Sequence, residues 1–402
     1  MRSVATGSSS LGVKDDAYDS RHGARAARLR PSSHRRPGRK SSARIGRMTA
    51  QAGNSDILFA RKGAAGLVTL NRPHALNAVT FDMIRSLAAK LAEWESDPAI
   101  TRVIVTAAPG RAFCAGGDIR ELYALGCAGR AEEALGYWRS EYALDAVIKR
   151  YRKPYVAVID GIVMGGGAGI SINGSHRVAG DGFEFAMPEA GLGFIPDVGA
   201  TWFLSRMPGE RGLYCGLTGA RLSPADAIAS GIATHRVSSR RLPDLIEALC
   251  GNVSVDALLA AFAEPPGEGP LTKLGAEIDR LFGEASVEEI LAALDAEGAG
   301  RGPAADFART TARTIRAKSP RSLKLTLAQL RHGKSLDFAE CLRTEFRIVS
   351  RLVHGHDFYE GIRSVIIDKD QAPRWQPATL EAVSSAEVER HFAPLPEELV
   401  LP

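Results

Sequence analysis

The sequence predicts an α/β protein, with an α/β core followed by a C-terminal helical domain. From Ile57 to about Val237, strand-like and helix-like stretches alternate along the chain, which is the pattern of βα units built on a mainly parallel sheet. Residues 155–159 form a near-continuous apolar run, as expected for a strand buried on both faces. After Val237 nearly every periodic segment has helical spacing. These three observations define the fold class.

Helix and strand signals place the core elements in order. Thr80 is the expected N-cap of a helix, with Asp82 in its first turn. The predicted strands are 66–70, 102–106, 155–159, 177–178 and 183–186, and the predicted helices are 80–94, 132–151, 167–173 and 198–206.

The second half shows amphipathic spacing interrupted by proline and glycine breaks. The predicted helices there are 256–262, 271–282, 287–294, 306–317, 322–331 and 336–353, with a short strand at 365–367. We therefore divide the chain into a basic extension at residues 1–50, a core at 51–250 and a mainly helical region at 251–402.

Composition excludes several classes of protein. The chain has 402 residues, 45% of them apolar and 24% charged, which is ordinary for a globular protein. Its apolar runs are far shorter than a membrane span requires, so no membrane partner is expected. The five scattered cysteines contain no C-x-x-C pair, and free thiols suit a reducing compartment. We therefore predict a cytoplasmic protein.

The net charge of +5 is concentrated at the N-terminus. Residues 1–47 contain twelve basic and three acidic side chains, so the rest of the chain is net negative. This extension is rich in Ser, Arg and Gly and is expected to be disordered. It could be a mitochondrial transit peptide, an arm that binds nucleic acid, or a sequence upstream of a start at Met48. We favour the last, because the first strand pattern begins shortly after Met48, and nucleic acid is not an expected partner of the core.

Two glycine-rich turns could present backbone amides to a ligand. The first, Arg111-Ala-Phe-Cys-Ala-Gly-Gly-Asp118, leads from a strand into a helix, and the second, at residues 161–170, follows the strand 155–159 with three contiguous glycines. Amides at a helix start suit a developing oxyanion. The second turn has neither a dinucleotide-binding spacing nor the Lys-Ser/Thr of a P-loop. Taken alone, each turn could also be only a tight connection.

Two carboxylates, Glu189 and Asp197, each follow a proline in an apolar setting. Partial desolvation would raise the pKa of both groups and suit them to proton transfer. Their spacing is equally compatible with simple capping of a turn and a helix.

Other catalytic groups are poorly supported. The pair His354 and His356 lacks further nearby ligands for a metal, no G-x-S-x-G elbow is present, and Cys114 is a weak candidate for a nucleophile. We expect neither a metal nor a cofactor.

Together these segments resemble the crotonase superfamily of enoyl-CoA hydratases and isomerases. The resemblance covers about residues 57–377 and is carried, in order, by Asn71-Arg-Pro-His-Ala-Leu-Asn-Ala78, Phe113-Cys-Ala-Gly-Gly-Asp118, the triplet at 165–167, Met187-Pro-Glu189 and Leu217-Thr-Gly-Ala-Arg-Leu222. It implies a ββα spiral core, an acyl-CoA substrate and an oxyanion hole formed by the amides of Gly117 and Gly166. It also makes a homo-oligomer built on trimers possible.

One departure narrows the resemblance. In the hydratases a glutamate stands where this chain has Gly169, so the usual pair of acids for adding water is incomplete. The motifs around Glu189 and Asp197, with Ser319-Pro-Arg-Ser-Leu-Lys324, Gly355-His-Asp-Phe358 and Ile367-Asp-Lys-Asp370, are similar to the 3-hydroxyisobutyryl-CoA hydrolase branch. That branch also implies a substrate-site role for Glu141.

The resemblance implies hydrolysis of a short-chain 3-hydroxyacyl-CoA thioester in valine catabolism, with 3-hydroxyisobutyryl-CoA converted to 3-hydroxyisobutyrate and CoA. Two alternatives stay open. One is an enoyl-CoA hydratase or isomerase that relies on Glu189 alone, and the other is an RNA-binding protein that uses its basic extension.

Overall fold

A computed structural model describes residues 55–402, so the predicted extension at residues 1–50 lies outside the described residues. Strands and helices alternate as expected, and the predicted α/β class is confirmed. The strands are β1 (Ile57–Lys62), β2 (Ala65–Leu70), β3 (Arg102–Ala107), β4 (Ala112–Cys114), β5 (Tyr155–Ile159), β6 (Ile162–Met164), β7 (His176–Ala179), β8 (Glu184–Ala186) and β9 (His235–Arg236).

The helices of the first half begin with α1 (Phe81–Ser96), where the Thr80 hydroxyl accepts a hydrogen bond from the Met83 N–H, so the predicted N-cap is confirmed. The others are α2 (Ile119–Cys127), α3 (Ala131–Lys149), α4 (Gly166–Ile172), α5 (Ala200–Phe203), α6 (Arg211–Thr218), α7 (Pro224–Ala229) and α8 (Leu242–Leu249).

All regular secondary structure in the second half of the described residues is helical. It contains α9 (Val255–Phe262), α10 (Pro270–Lys273), α11 (Gly275–Phe282), α12 (Val287–Gly298), α13 (Pro303–Arg316), α14 (Pro320–Gly333), α15 (Phe338–Leu352), α16 (His356–Ile362) and α17 (Ser385–Phe392). The strand predicted at 365–367 is wrong. Arg363–Ile367 continues α16 as a π-helical turn, because the Asp368 N–H donates to the Arg363 carbonyl five residues back.

The strands form two sheets that the chain visits in alternation. The larger sheet has the order β1-β2-β3-β5-β7-β9, antiparallel only between β1 and β2, and the smaller sheet is β4-β6-β8, parallel throughout. Each of β3, β5 and β7 is followed by one strand of the smaller sheet and then by helix. This ββα repeat is the spiral that the sequence resemblance implied.

Parallel pairing in the smaller sheet sets the position of the candidate site. The carboxyl ends of parallel strands meet at one edge, where ligands bind in open α/β sheets. The turn after β4 carries Gly117, the turn after β6 carries Gly166, and the segment after β8 carries Glu189. Segments that are 23 to 72 residues apart in sequence are therefore brought together.

The helical half packs on the same core. One hydrophobic cluster includes buried side chains from both halves, among them Phe113, Phe185, Leu325, Phe346 and Phe358, and residues 55–402 belong to one compact unit. The boundary at residue 250 stays a prediction. All five cysteines are free, and no helix within residues 55–402 is long and apolar enough to cross a bilayer.

Candidate active site

The turn that carries Gly117 is held by the Asn71–Ala78 segment. Asn77 is fully buried with a left-handed backbone; its Oδ1 accepts from the Arg72 N–H at 2.7 Å, and its Nδ2 donates to the Ala112 carbonyl at 2.9 Å. Arg72 also pairs with Asp118 at 3.1 Å. These bonds connect the motif before α1 to both ends of the glycine turn, which explains why the motif belongs to the site.

Gly117 and Gly166 converge at the carboxyl edge of the smaller sheet. A methyl group built on Gly166 would lie 3.2 Å from the Gly117 amide nitrogen and 2.5 Å from Glu141 Oε1. Neither the Gly117 N–H nor the Gly166 N–H donates to a backbone acceptor within residues 55–402. Two unbonded donors this close together can stabilise one oxyanion.

Glu189 lies beside this pair of amides. A methyl group on Gly165 would lie 3.2 Å from Glu189 Oε1, while Oε2 is buried without a hydrogen-bond partner among the described residues. Only 6% of the residue is exposed. Burial, and then the negative charge of Asp197, raise the pKa of Glu189 well above its usual value, and such a carboxylate is a strong base once ionised.

Asp197 and Glu141 complete the set of predicted residues. The Tyr142 hydroxyl donates to Asp197 Oδ2 at 2.7 Å, and burial raises the pKa of Asp197 to about 7. Glu141, one residue before Tyr142 on α3, is only 3% exposed, and burial followed by the charge of Asp197 raises its pKa well above the usual value. The structure thus brings all five predicted residues together.

Two further buried acids were not predicted from the sequence. Asp145, one turn after Glu141 on α3, fills the space at Gly169: a methyl group there would lie 2.6 Å from Asp145 Oδ1 and 2.9 Å from Val198 Cβ. Glu345 on α15 is fully buried next to the loop that follows Asp197. We call Glu141, Asp145, Glu189, Asp197 and Glu345 the carboxyl cluster. For Glu345 the signal was an acid among apolar residues one turn away on α15, whereas Asp145 shares its face of α3 with Glu141 and Lys149 and gave no such signal.

Other predicted candidates take no part in this site. Burial raises the pKa of Cys114 to about 12, so its thiol is not a nucleophile at neutral pH. His354 and His356 lie at the end of α15 and the start of α16, and no group of three or more His, Cys, Asp or Glu side chains in residues 55–402 could hold a metal ion.

The carboxyl cluster predicts that stability decreases as the pH rises. Folding raises the pKa of these acids, to about 7 for Asp197 and about 8 for Glu345, so the folded state binds more protons than the unfolded state. Their contribution to the free energy of unfolding is complete below about pH 4. It is lost as the pH rises from there through 7 and 8, by at most about 1.4 kcal/mol per pH unit for each group. We expect the urea midpoint to fall between pH 5.5 and 8.5, and to fall less in Asp197→Asn. A midpoint independent of pH in the native sequence would contradict this expectation.

Comparison with known proteins identifies the family of this chain. The family model for enoyl-CoA hydratase/isomerase matches residues 65–392. The mitochondrial 3-hydroxyisobutyryl-CoA hydrolase of Danio rerio is 43% identical, covering 88% of this chain and 93% of the relative. The human protein of the same name is 40% identical, covering 85% and 89%, and a probable 3-hydroxyisobutyryl-CoA hydrolase from Arabidopsis thaliana is 39% identical, covering 86% and 94%.

The names of these relatives correct one prediction. The vertebrate hydrolases are mitochondrial, which contradicts the cytoplasmic location inferred from scattered free cysteines. Free thiols indicate a reducing compartment but do not identify which one. The alternative of a transit peptide concerns residues 1–47, outside the described part of the chain.

Solved structures agree on the fold. A carnitinyl-CoA dehydratase from Mycobacterium thermoresistibile has a TM-score of 0.81 and 42% identity, covering 86% of this chain and 99% of its own. An enoyl-CoA hydratase from Rhodobacter sphaeroides has a TM-score of 0.80 and 41% identity, covering 86% and 100%. The extent of the family match, the identity over most of the chain and the shared fold lead to one conclusion: this chain belongs to the enoyl-CoA hydratase/isomerase family.

Proposed function

We propose that this protein hydrolyses 3-hydroxyisobutyryl-CoA, a short-chain 3-hydroxyacyl-CoA thioester, to 3-hydroxyisobutyrate and CoA. The observation that carries the proposal is the convergence of two unbonded amides, on Gly117 and Gly166, beside the buried carboxyl group of Glu189. The hydrolase names of relatives that match over most of the chain support the substrate.

In this proposal the thioester oxygen accepts hydrogen bonds from the Gly117 and Gly166 amides. The Glu189 carboxylate either attacks the carbonyl carbon, giving a mixed anhydride that water then hydrolyses, or removes a proton from an attacking water. Either route forms a tetrahedral oxyanion, which collapses as the C–S bond breaks and the electron pair leaves on the CoA sulfur.

Asp197 orients the 3-hydroxyl group of the acyl chain and relays protons, with Glu141 beside it. Because burial raises its pKa to about 7, Asp197 can hold or release a proton near neutral pH. A neutral Asp197 is a hydrogen-bond donor, and the Tyr142 hydroxyl fixes the direction of its carboxyl group.

A second candidate is addition or removal of water at an acyl-CoA double bond. It is favoured by the names of the two similar proteins of known structure, a dehydratase and a hydratase. Gly169 is evidence against it, because glycine supplies no carboxyl group there and because Asp145 and Val198 would clash with a larger side chain at that position.

Thiol release separates the two activities. We expect the purified protein to release free CoA thiol from 3-hydroxyisobutyryl-CoA and to hydrate crotonyl-CoA poorly, because one of the two acids needed for hydration is missing. Thiol is measured with a chromogenic disulfide, and hydration by the loss of enoyl-thioester absorbance. Hydration without thiol release would reject the hydrolase.

The assembly and the extension form separate parts of the proposal. We propose a homo-oligomer built on trimers, which light scattering of the full chain tests. A chain that begins at Met48 and keeps its thiol release would show that residues 1–47, whatever they bind, are not needed for the chemistry.

A further inference from the structure

Glu345 connects the helical half to the loop that carries Asp197. Its side chain is fully buried; Oε2 accepts from the Gly199 N–H at 2.8 Å, and Oε1 accepts from the Thr201 N–H at 2.8 Å. These are two of the first amides of α5, which no backbone carbonyl can satisfy at a helix start. Residues almost 150 positions apart in sequence therefore form one bidentate contact.

The loop held by Glu345 has a strained backbone. Val198 has a φ of 56° and Gly199 a φ of 92°, and the left-handed region is unfavourable for a β-branched residue. Such a conformation persists only where its surroundings hold it. Asn173 Nδ2 donates to the Val198 carbonyl at 3.0 Å, and Glu345 binds the amides on the other side of the turn. Asp197 comes directly before Val198, so the turn sets the direction in which Asp197 leaves the backbone.

Other contacts from the helical half hold the same segment. The Ser319 N–H donates to the Ala190 carbonyl at 3.1 Å, and Gln329 Nε2 donates to the Pro196 carbonyl. Of these three contacts, the one made by Glu345 is the one that binds residues following Asp197 in sequence, and its side chain is the one that can carry a charge. Hydrogen bonds to a charged acceptor are the stronger ones in a buried setting.

The Glu345 carboxyl also interacts electrostatically with the site. The titratable groups that face it are Asp197 in the loop, Glu141, Tyr142 and Asp145 on α3, and Cys341 on α15 itself. None of these groups is a cation. Burial is the main reason that the pKa of Glu345 is raised to about 8, and the charge of Asp197 adds to it, so Glu345 ionises after Asp197, whose pKa is about 7.

We propose that Glu345 is a positioning residue for Asp197, holding the strained turn through two amides so that the Asp197 carboxyl group faces the acyl group. This inference rests on the role given to Asp197 in the proposed function. A residue kept only to fill space would be apolar, since burying an acid without a cation is costly. The two backbone donors give the acid its reason to be there.

Glu345→Gln tests the inference. Glutamine has one acceptor oxygen, so its NH₂ group would face one of the two N–H donors and the turn would shift. A misplacement of about 1 Å can lower a rate about 100-fold, and we expect a fall of that order in kcat. KM should change less than kcat, because the substitution removes no group that is proposed to touch the substrate. The pH profile of kcat should also lose the contribution of Glu345, whose pKa is about 8, because glutamine does not ionise.

A double-variant cycle shows whether Glu345 acts through Asp197. If it does, Asp197→Asn with Glu345→Gln should be no slower than Asp197→Asn alone, whereas independent roles give losses that multiply. Glu340→Gln, on the surface of α15 where Glu340 pairs with Arg343 and Arg347, is the matched control and should retain native kcat and pH profile.

Glu345→Asp is the second variant in case the glutamine variant does not fold. It keeps the carboxyl group but is one methylene too short to reach both amides, so we expect a smaller loss in kcat with the pH dependence near pH 8 retained. Native kcat and an unmoved pH profile in Glu345→Gln, or native kcat in Glu345→Asp, would overturn the inference, as would multiplying losses in the cycle. Absence of thiol release in the native protein would instead reject the proposed function.

Discussion

Glu189→Gln is expected to lower kcat for thiol release by about 100- to 10,000-fold while leaving the fold intact. The amide keeps the volume of the side chain but can neither attack a carbonyl carbon nor accept a proton from water, and a positioned base contributes about 100- to 10,000-fold. Glu189 Oε2 has no hydrogen-bond partner among the described residues, so the substitution breaks no bond at that atom. Steady-state kinetics and a urea midpoint measure the two effects separately.

Glu184→Gln is the matched control. Glu184 lies on β8, five residues before Glu189, and its carboxylate forms a surface ion pair with Arg221 at 2.7 Å. A surface pair of this kind contributes about 0 to 1 kcal/mol to stability, so this variant should keep native kcat. Native turnover in Glu189→Gln would show that another group is the base or nucleophile.

Gly166→Ala is expected to lower kcat about 100- to 1000-fold, the range found when one oxyanion donor is lost. The added methyl group would lie 2.5 Å from Glu141 Oε1 and 3.2 Å from the Gly117 amide nitrogen. It would therefore displace Glu141 and occupy the space in front of the second donor. The two amides stabilise the oxyanion of the transition state more than the carbonyl of the bound substrate. Disturbing them should therefore change KM less than kcat.

Gly136→Ala separates this effect from a general response to alanine. Gly136 lies in α3, and a methyl group there meets no heavy atom within 4 Å, so the variant should keep native kcat and gain about 0.5 to 1 kcal/mol in stability. Equal turnover in Gly166→Ala and Gly136→Ala would remove the oxyanion hole from the mechanism.

The sequence located the parts of the site that have local signals. Gly117 and Gly166 follow predicted strands in glycine-rich turns, and Glu189 and Asp197 follow prolines among apolar residues. Strands β4 and β6, which precede the two glycines in the structure, are not among the predicted strands, so the grouping of these residues depended on the family resemblance. The roles of these residues in catalysis stay predictions.

The remaining parts of the site depend on contacts between distant segments. Glu141, Asp145 and Glu345 lie on helices where an acid normally indicates the solvent face, and only the packing of α3 and α15 against the loops makes them buried. The π-helical turn at Arg363–Ile367 was misread as a strand for the same reason: β-branched residues favour strands, and the continuation of α16 overrides that local preference.

The bidentate contact of Glu345 has a consequence for the order in which a chain made from its N-terminus becomes functional. Both sheets, and every group proposed to touch the thioester, have been synthesised by residue 236. The acceptor for the Gly199 and Thr201 amides follows more than 100 residues later. A polypeptide terminated prematurely between these points would contain the whole reaction centre and yet lack the Glu345 contact to its aspartate loop, so full turnover is expected only once residue 345 has been made.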